Sequence, residues 1–327
     1  MITKSNWNEL KERIKFANRI VITTHIHPDG DAIGSELALY YYLKYLGKDV
    51  SILNISDTPE IYHFLDSENI ISKYHDDSLL KYSDLIIAVD VSKYDRIEKI
   101  AKDAKKNKIT MITIDHHPKH SENLFALELI DPKANSTGYL IYQFIKISDL
   151  EFIDKKIALF LYCALVTDTG FFKYNNASPE AYLMASELVK KGVNPAEVYE
   201  KIYEQSSFAS INLLGYVLQN LNVEYDGKVV WIAISQELLK KYGCKMEDME
   251  GFSDVIRSLK NLKISIMFKE TKYGKISVNL RSKGNVKING IAHRFGGGGH
   301  PYASGIKFDK PMSDVIPLII NAVGELF

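Results

Sequence analysis

Residues 21–24, Val-Ile-Thr-Thr, run straight into His-Ile-His-Pro-Asp-Gly-Asp, and from Ile33 to Tyr45 the apolar residues recur with helical spacing and no proline. The β-branched run predicts a buried strand, so the polar cluster occupies a strand-to-helix turn. In open α/β sheets, turns at the carboxyl ends of strands are where ligands are held. An aspartate at such a turn ordinarily caps free helix N–H groups. One of Asp29 and Asp31 would serve that purpose. Two carboxylates beside His25 exceed it and point to a bound cation.

The strand-to-helix pattern recurs. Val50 to Leu53, Asp84 to Val91 and Ile109 to Ile114 are further strand-type runs separated by helical patterns, as in a parallel, doubly wound α/β sheet. From Ser136 to Asn220 almost every window reads helical. Strand signals return in KVVWIAIS, LKISIMFKE and KISVNLRS, the last two predicting a hairpin around TKYGK and a smaller α/β domain beginning near Asn222.

At 327 residues, 46% apolar and 25% charged, the chain suits one large or two ordinary globular domains. No apolar run approaches the roughly 20 residues of a membrane span, and residues 1–18 hold no signal-peptide core. The expectation is a cytoplasmic protein with no membrane partner. Cys163 and Cys244 are far apart and lack zinc-type spacing, which predicts ordinary thiols.

A net charge of zero, from 41 basic and 41 acidic residues, conceals an asymmetry. Between Arg257 and Lys310, twelve Lys or Arg stand against Glu270 and Asp309 only. A basic piece joined to an aspartate-rich one suggests phosphate capture on one side and metal chelation on the other.

The other acids and histidines fall where the first cluster needs them. The strand Leu85 to Val89 runs into Asp90, the strand Ile109 to Ile114 into Asp115, His116 and His117, and Asp168 closes an apolar helical stretch in VTDTGFF. One carboxylate bridging two cations would neutralise such a crowd. Mixed imidazole and carboxylate ligands favour manganese, iron or zinc over calcium, and the cluster contains no cysteine to make a soft site.

Together, HPDGDAIGS with His25 upstream, VDVS around Asp90, DHH at 115–117 and TDTG around Asp168 resemble the four motifs of the DHH phosphoesterase superfamily. KISVNLRSKGNVKINGIAHRFGGGGHPYASG resembles the DHH-associated C-terminal domain of its nanoRNase, pAp phosphatase and cyclic dinucleotide phosphodiesterase branch. The resemblance runs from about Ile20 to Gly305. It implies a catalytic domain over 1–190, a helical linker over 191–221 and a substrate-binding domain over 222–327. It also implies two divalent cations, Mn2+ foremost. His25, Asp29 and Asp90 would hold one ion, and Asp31, Asp90, His116 and Asp168 the other, with Asp90 as the bridge. His117 would contact the phosphoryl oxygen or the leaving group, and Asp115 would orient an imidazole. His27 and His120 have no implied role.

The glycine run has its own chemistry. Four consecutive glycines predict a loop whose backbone N–H groups can approach a phosphate closely. Gly297, Gly298, Gly299 and His300, with Arg281 and Ser282 at a strand end and Arg257 nearby, are the expected substrate-binding residues.

The implied activity is hydrolysis of short oligoribonucleotides (nanoRNA) and linear dinucleotides such as pApA to 5′-mononucleotides, with 3′-phosphoadenosine 5′-phosphate, pAp, as a further substrate. A stand-alone cyclic di-AMP phosphodiesterase and a RecJ-like single-strand exonuclease are the enzyme alternatives. A nucleic-acid-binding module is the alternative outside enzymes, and it would not need the metal constellation. Relatives of this kind are often homodimers.

Overall fold

The computed structural model describes residues 2–119, 125–249 and 251–327, with the side chains of residues 149, 150 and 300 outside the description. His120 therefore lies outside the described residues. The chain divides into two compact units, Met1–Gln205 and Ser206–Phe327.

In the first unit, strands β1 (Arg19–Thr23), β2 (Asp49–Asn54), β3 (Ile71–Lys73), β4 (Leu85–Val89), β5 (Thr110–Asp115) and β6 (Leu127–Ile130) form one sheet. Their order is β3-β2-β1-β4-β5-β6, and every pair is parallel. β1, β2, β4 and β5 coincide with the strand-type runs of the sequence. β3 and β6, of three and four residues, were not expected, because edge strands so short hold too few residues for a period to be read.

Helices α1 (Lys4–Phe16), α2 (Gly30–Tyr45), α3 (Glu98–Lys106), α4 (Thr137–Asp149), α5 (Lys155–Asp168), α6 (Pro179–Lys190) and α7 (Pro195–Tyr203) complete this unit. Alternate strand residues face opposite ways. Ile20, Ile22, Ile87 and Ile114 pack with Leu10, Leu37, Phe144 and Leu161 from α1, α2, α4 and α5. Val21, Ile86, Ala88 and Met111 pack with Ile100 and Ala104 from α3. Covered on both faces, β4 is buried at all five positions, which is why its sequence is a continuous apolar run.

The chain leaves β1 toward β2 on one side, whereas β4 lies on the other. The carboxyl ends of β1 and β4 therefore frame the point where strand order reverses, the place where open α/β sheets form a crevice. α2 passes very close to α5: a Cβ at Gly34 would sit 2.3 Å from the carbonyl oxygen of Phe160, and one at Gly30 would collide with Thr167. These contacts run the helices antiparallel and set the first turn of α2 beside the last turn of α5.

The second unit contains α8 (Phe208–Gln219), β7 (Asn222–Glu224), β8 (Val229–Ile234), α9 (Gln236–Tyr242), α10 (Phe252–Arg257), β9 (Ile264–Glu270), β10 (Ile276–Ser282), α11 (Asn289–Arg294), β11 (Gly298–His300), β12 (Ala303–Phe308) and α12 (Met312–Gly324). Its sheet order is β11-β12-β10-β9-β8-β7, antiparallel except between β8 and β9. Val278, Leu280, Phe268 and Ile306 turn one face toward α11 and α12. On the other face Val230, Ile232 and Met267 meet α8, α9 and α10.

Candidate active site

His25 follows β1 by two residues and Asp90 follows β4 directly. Thr23 pairs with Ala88 in register, so both side chains leave adjacent strands at the same level. His25 Nε2 lies 3.1 Å from Asp90 Oδ2, and its Nδ1 lies 2.9 Å from the carbonyl oxygen of Ile26. Asp90 adopts φ +58°, a left-handed conformation that aspartate tolerates better than most residues.

Asp29 is the N-cap of α2, its Oδ1 accepting from the N–H groups of Asp31 and Ala32 at 3.1 Å each. Asp31 turns inward and serves a different helix. It accepts from the backbone N–H groups of Thr137 (2.7 Å) and Gly138 (2.8 Å), the first residues of α4. The close passage of α2 and α5 brings Asp168 to the same place, where Asn176 donates to its Oδ2 at 2.9 Å.

His116 joins these acids. Its Nε2 is buried without a hydrogen-bond partner among the described residues, 3.8 Å from Asp31 Oδ2 and 3.7 Å from both Asp90 Oδ1 and Asp168 Oδ2. Those separations are too long for hydrogen bonds. One imidazole nitrogen and three carboxylate oxygens face a common space, a donor set suited to a borderline divalent cation. His25, Asp29 and Asp90 form an adjoining group whose ligand atoms lie within 4.8 Å of one another. Asp90 turns Oδ2 to that group and Oδ1 toward His116. The residues thus fit a pair of cations.

His117 is held differently. Asp115, fully buried at the end of β5, accepts through Oδ1 from the backbone N–H of His117 and lies 2.9 Å from its Nδ1. Asp90 Oδ1 is 3.3 Å from the same nitrogen. His27 is exposed, and its backbone N–H donates to Ser56.

The electrostatics follow from this crowding. Burial, then the charges of Asp90, Asp168 and Asp29, push the Asp31 carboxyl well above its ordinary value, against the hydrogen bond from Gly138. Burial chiefly, with Asp90 and Asp29 adding to it, raises Asp168 to about 6 despite the opposing pull of His116. Burial would also raise Asp90, but its bonds with His117 and His25 and the histidine charges hold it well below the usual range. Burial opposes the charged form of His117, yet Asp115 and Asp90 outweigh it and push the imidazole up to about 11.

In the second unit the glycine run forms a paired strand, β11, where a loop was expected. Gly298 pairs with Gly305 and Gly299 with Ser304. Gly299 has φ +137°, and a Cβ there would lie 2.5 Å from the carbonyl oxygen of Ala303. Arg281 lies half-buried on β10 on the same face as Ser277 and Asn279. Ser282 alternates to the opposite, packed face, where its hydroxyl donates to the carbonyl of Val286 at 2.7 Å. Arg257 is half-buried at the last position of α10. The side chain of His300 lies outside the description.

Residues 19–165 match the DHH family, N-terminal domain, and residues 224–327 match the DHHA1 domain. A bifunctional oligoribonuclease and PAP phosphatase NrnA from Thermus thermophilus is 31% identical over 288 residues, 88% of this chain and 83% of that protein. This chain belongs to the DHH family of phosphoester hydrolases. The Bacillus subtilis protein of the same name is 27% identical over 91% of both chains. The crystal structure of an exopolyphosphatase-related protein from Bacteroides fragilis superposes with a TM-score of 0.94 at 30% identity, covering 99% of this chain and 97% of the other. A manganese complex of RecJ from Thermus thermophilus shares the fold, with a TM-score of 0.58 at 15% identity over 99% of this chain and 54% of that one.

Some groups in this DHH site escaped the sequence reading. Thr137, fully buried, donates from Oγ1 to Asp90 Oδ1 at 3.0 Å while its backbone holds Asp31. Asn176 braces Asp168. The available signal was the small polar stretch Asn-Ser-Thr-Gly at 135–138, directly before a helical run. In the DHHA1 unit, Lys269 is half-buried, and burial, then Arg281, lowers its ammonium from the usual value.

Proposed function

We propose that the chain hydrolyses short oligoribonucleotides and linear dinucleotides such as pApA to 5′-mononucleotides, and pAp as well, with manganese as the working cation. The observation that carries this reading is the buried His116 Nε2, without a hydrogen-bond partner among the described residues and facing three carboxylates. The names of the similar proteins support the substrate class. In this reading His25, Asp29 and Asp90 hold one ion, and Asp31, Asp90, His116 and Asp168 the other. Bound there, the ions would supply Lewis acidity toward a phosphoryl oxygen and lower the pKa of an attacking water.

The protein's own groups do the rest. Asp90 links the two ligand sets and is held by Thr137. Asp31 is fixed by the first N–H groups of α4, so it needs little reorganisation to act as a ligand. His117, held at Nδ1 by Asp115, would contact the phosphoryl oxygen or the leaving group. Arg257, Arg281, Gly297, Gly298, Gly299 and His300 are the proposed nucleotide contacts of the second unit; Ser282, buried on the packed face with its hydroxyl bonded to Val286, is placed to brace the end of β10 instead. Long single strands are usually held by extended basic grooves with stacking aromatics. The compact basic stretch of this chain suits short substrates instead.

The test is turnover with manganese on RNAs of increasing length, pApA, cyclic di-AMP and pAp side by side. RNA of roughly two to five nucleotides should be cleaved at least about tenfold faster than a strand of about twenty. Equal or faster cleavage of the long strand would favour a RecJ-like exonuclease, and cyclic di-AMP turning over faster than pApA would favour the cyclic dinucleotide activity.

A further inference from the structure

Five residues beyond Asp31, α2 carries a carboxylic acid that the cation cluster does not use. Glu36 is wholly buried. Burial pushes its carboxyl well above the usual range, with the Asn54 amide pulling the other way and Asp66 adding to the rise. Its Oε1 accepts from Asn54 Nδ2 at 2.8 Å, and Oε2 has no partner among the described residues. An acid in so apolar a helix costs stability that an aliphatic side chain would not.

The hydrogen bond leads toward the active site. Asn54, the last residue of β2, is also buried, and its Oδ1 accepts from the backbone N–H of Thr24 at 3.2 Å. The Thr24 hydroxyl donates to the carbonyl oxygen of Val89 at 2.8 Å. Thr24 immediately precedes His25, and Val89 immediately precedes Asp90. A strap of three side chains therefore runs from α2, whose start carries Asp29 and Asp31, through the end of β2 to the two strand ends that carry His25 and Asp90.

We infer that Glu36 and Asn54 are positioning residues that fix the spacing between the α2 carboxylates and the strand-end ligands of the cation pair. This rests on reading the cluster as a cation site, and not on which phosphoester is cleaved. Thr24 lies just past the end of β1, so Asn54 supplies the partner of its N–H group. Without that bond the backbone entering His25 has one constraint fewer. Ligand constellations work only when held to about 0.5 Å, and groups that orient ligands typically govern metal affinity by about 10- to 100-fold.

The experiment is calorimetric titration of the metal-free, full-length protein with Mn2+, with thermal melting and turnover measured in parallel. The wild type should bind a pair of ions. Asn54→Leu and Glu36→Leu should each weaken Mn2+ binding by about tenfold or more, and the double variant should be no weaker than either, because both remove one strap. Raising Mn2+ should restore kcat in these variants. Glu36→Gln keeps an oxygen for the Asn54 amide and should stay within about threefold of wild type. Should a leucine variant fail to fold, Asn54→Ala takes its place with the same expectation. Unchanged Mn2+ affinity in folded variants with a lower melting temperature would overturn the inference and make the pair a core feature only. Glu36→Gln as weak as Glu36→Leu would overturn it too. A wild type that binds no ion pair refutes the cation reading and the strap together, whereas one that binds the pair but cleaves no nucleotide refutes the substrate reading alone.

Discussion

The Thr137 hydroxyl donates to Asp90 Oδ1 at 3.0 Å. Because the Thr137 backbone also holds Asp31, one residue at the start of α4 sets two acids that belong to different elements. Thr137→Val preserves side-chain shape and the backbone bond while deleting the hydroxyl. A hydrogen bond to a charged group contributes about 1.5–3 kcal/mol, so turnover should fall by about tenfold or more with little change in melting temperature. Steady-state kinetics at saturating manganese, beside a melting curve, check this. Undiminished turnover would show that Asp90 is held sufficiently by its histidines.

Asp90 itself sits at φ +58°. Asparagine tolerates this conformation nearly as well as aspartate, whereas alanine there costs about 1–2 kcal/mol in backbone strain. Asp90→Asn should therefore fold normally and lose on the order of 100-fold or more in turnover, because the charge between the two ligand groups is gone. Asp90→Ala should lose activity and melt lower. Near-normal turnover of Asp90→Asn with added manganese would end the bridging role.

Most of the first unit could be read from the chain because its central strands are covered on both faces and print as apolar runs, and because His25, Asp90 and Asp115 to His117 lie at or just after the ends of those runs. What stayed hidden are contacts with no sequence period. Thr137 and Asp90 are 47 positions apart, and Asn54 and Glu36 are 18 apart. Their pairing exists only once the sheet has formed. The glycine run misled in another way: glycine is a poor strand former, so residues 298–300 read as a loop, whereas pairing with β12 makes them a strand.

Asp168 offers a test by pH. In the unfolded chain this carboxyl releases its proton near 3.8, and in the metal-free fold near 6, raised chiefly by burial. Between those values the folded protein binds more protons than the unfolded chain, so this group's contribution to stability falls as pH rises. Asp168→Asn removes that loss. In the presence of a chelator the variant should match wild type near pH 4 and exceed it near pH 7, by at most about 3 kcal/mol at roughly 1.4 kcal/mol per pH unit. Urea unfolding at the two pH values measures it. A gap that does not change with pH would mean that Asp168 ionises normally.

Gly298 differs from its neighbours in what surrounds it. A Cβ at Gly297 would lie 2.2 Å from the carbonyl oxygen of Gly305 and one at Gly299 2.5 Å from that of Ala303, but at Gly298 the nearest atom is His293 Cε1 at 3.7 Å. Gly298→Ala should consequently fold and melt like wild type. If a nucleotide lies against Gly298, the added methyl crowds the ligand while making only an ordinary contact with His293. Turnover of pApA should then drop by about tenfold, while a small aryl phosphodiester, which needs no nucleotide contact, is hydrolysed within about twofold of the wild-type rate. Arg281→Ala should separate the same two substrates more widely, since loss of a charge-assisted contact of about 1.5–3 kcal/mol corresponds to roughly 10- to 150-fold. Equal losses on both substrates would move Arg281 to the reaction centre. Normal pApA turnover in both variants would show that the nucleotide is held elsewhere.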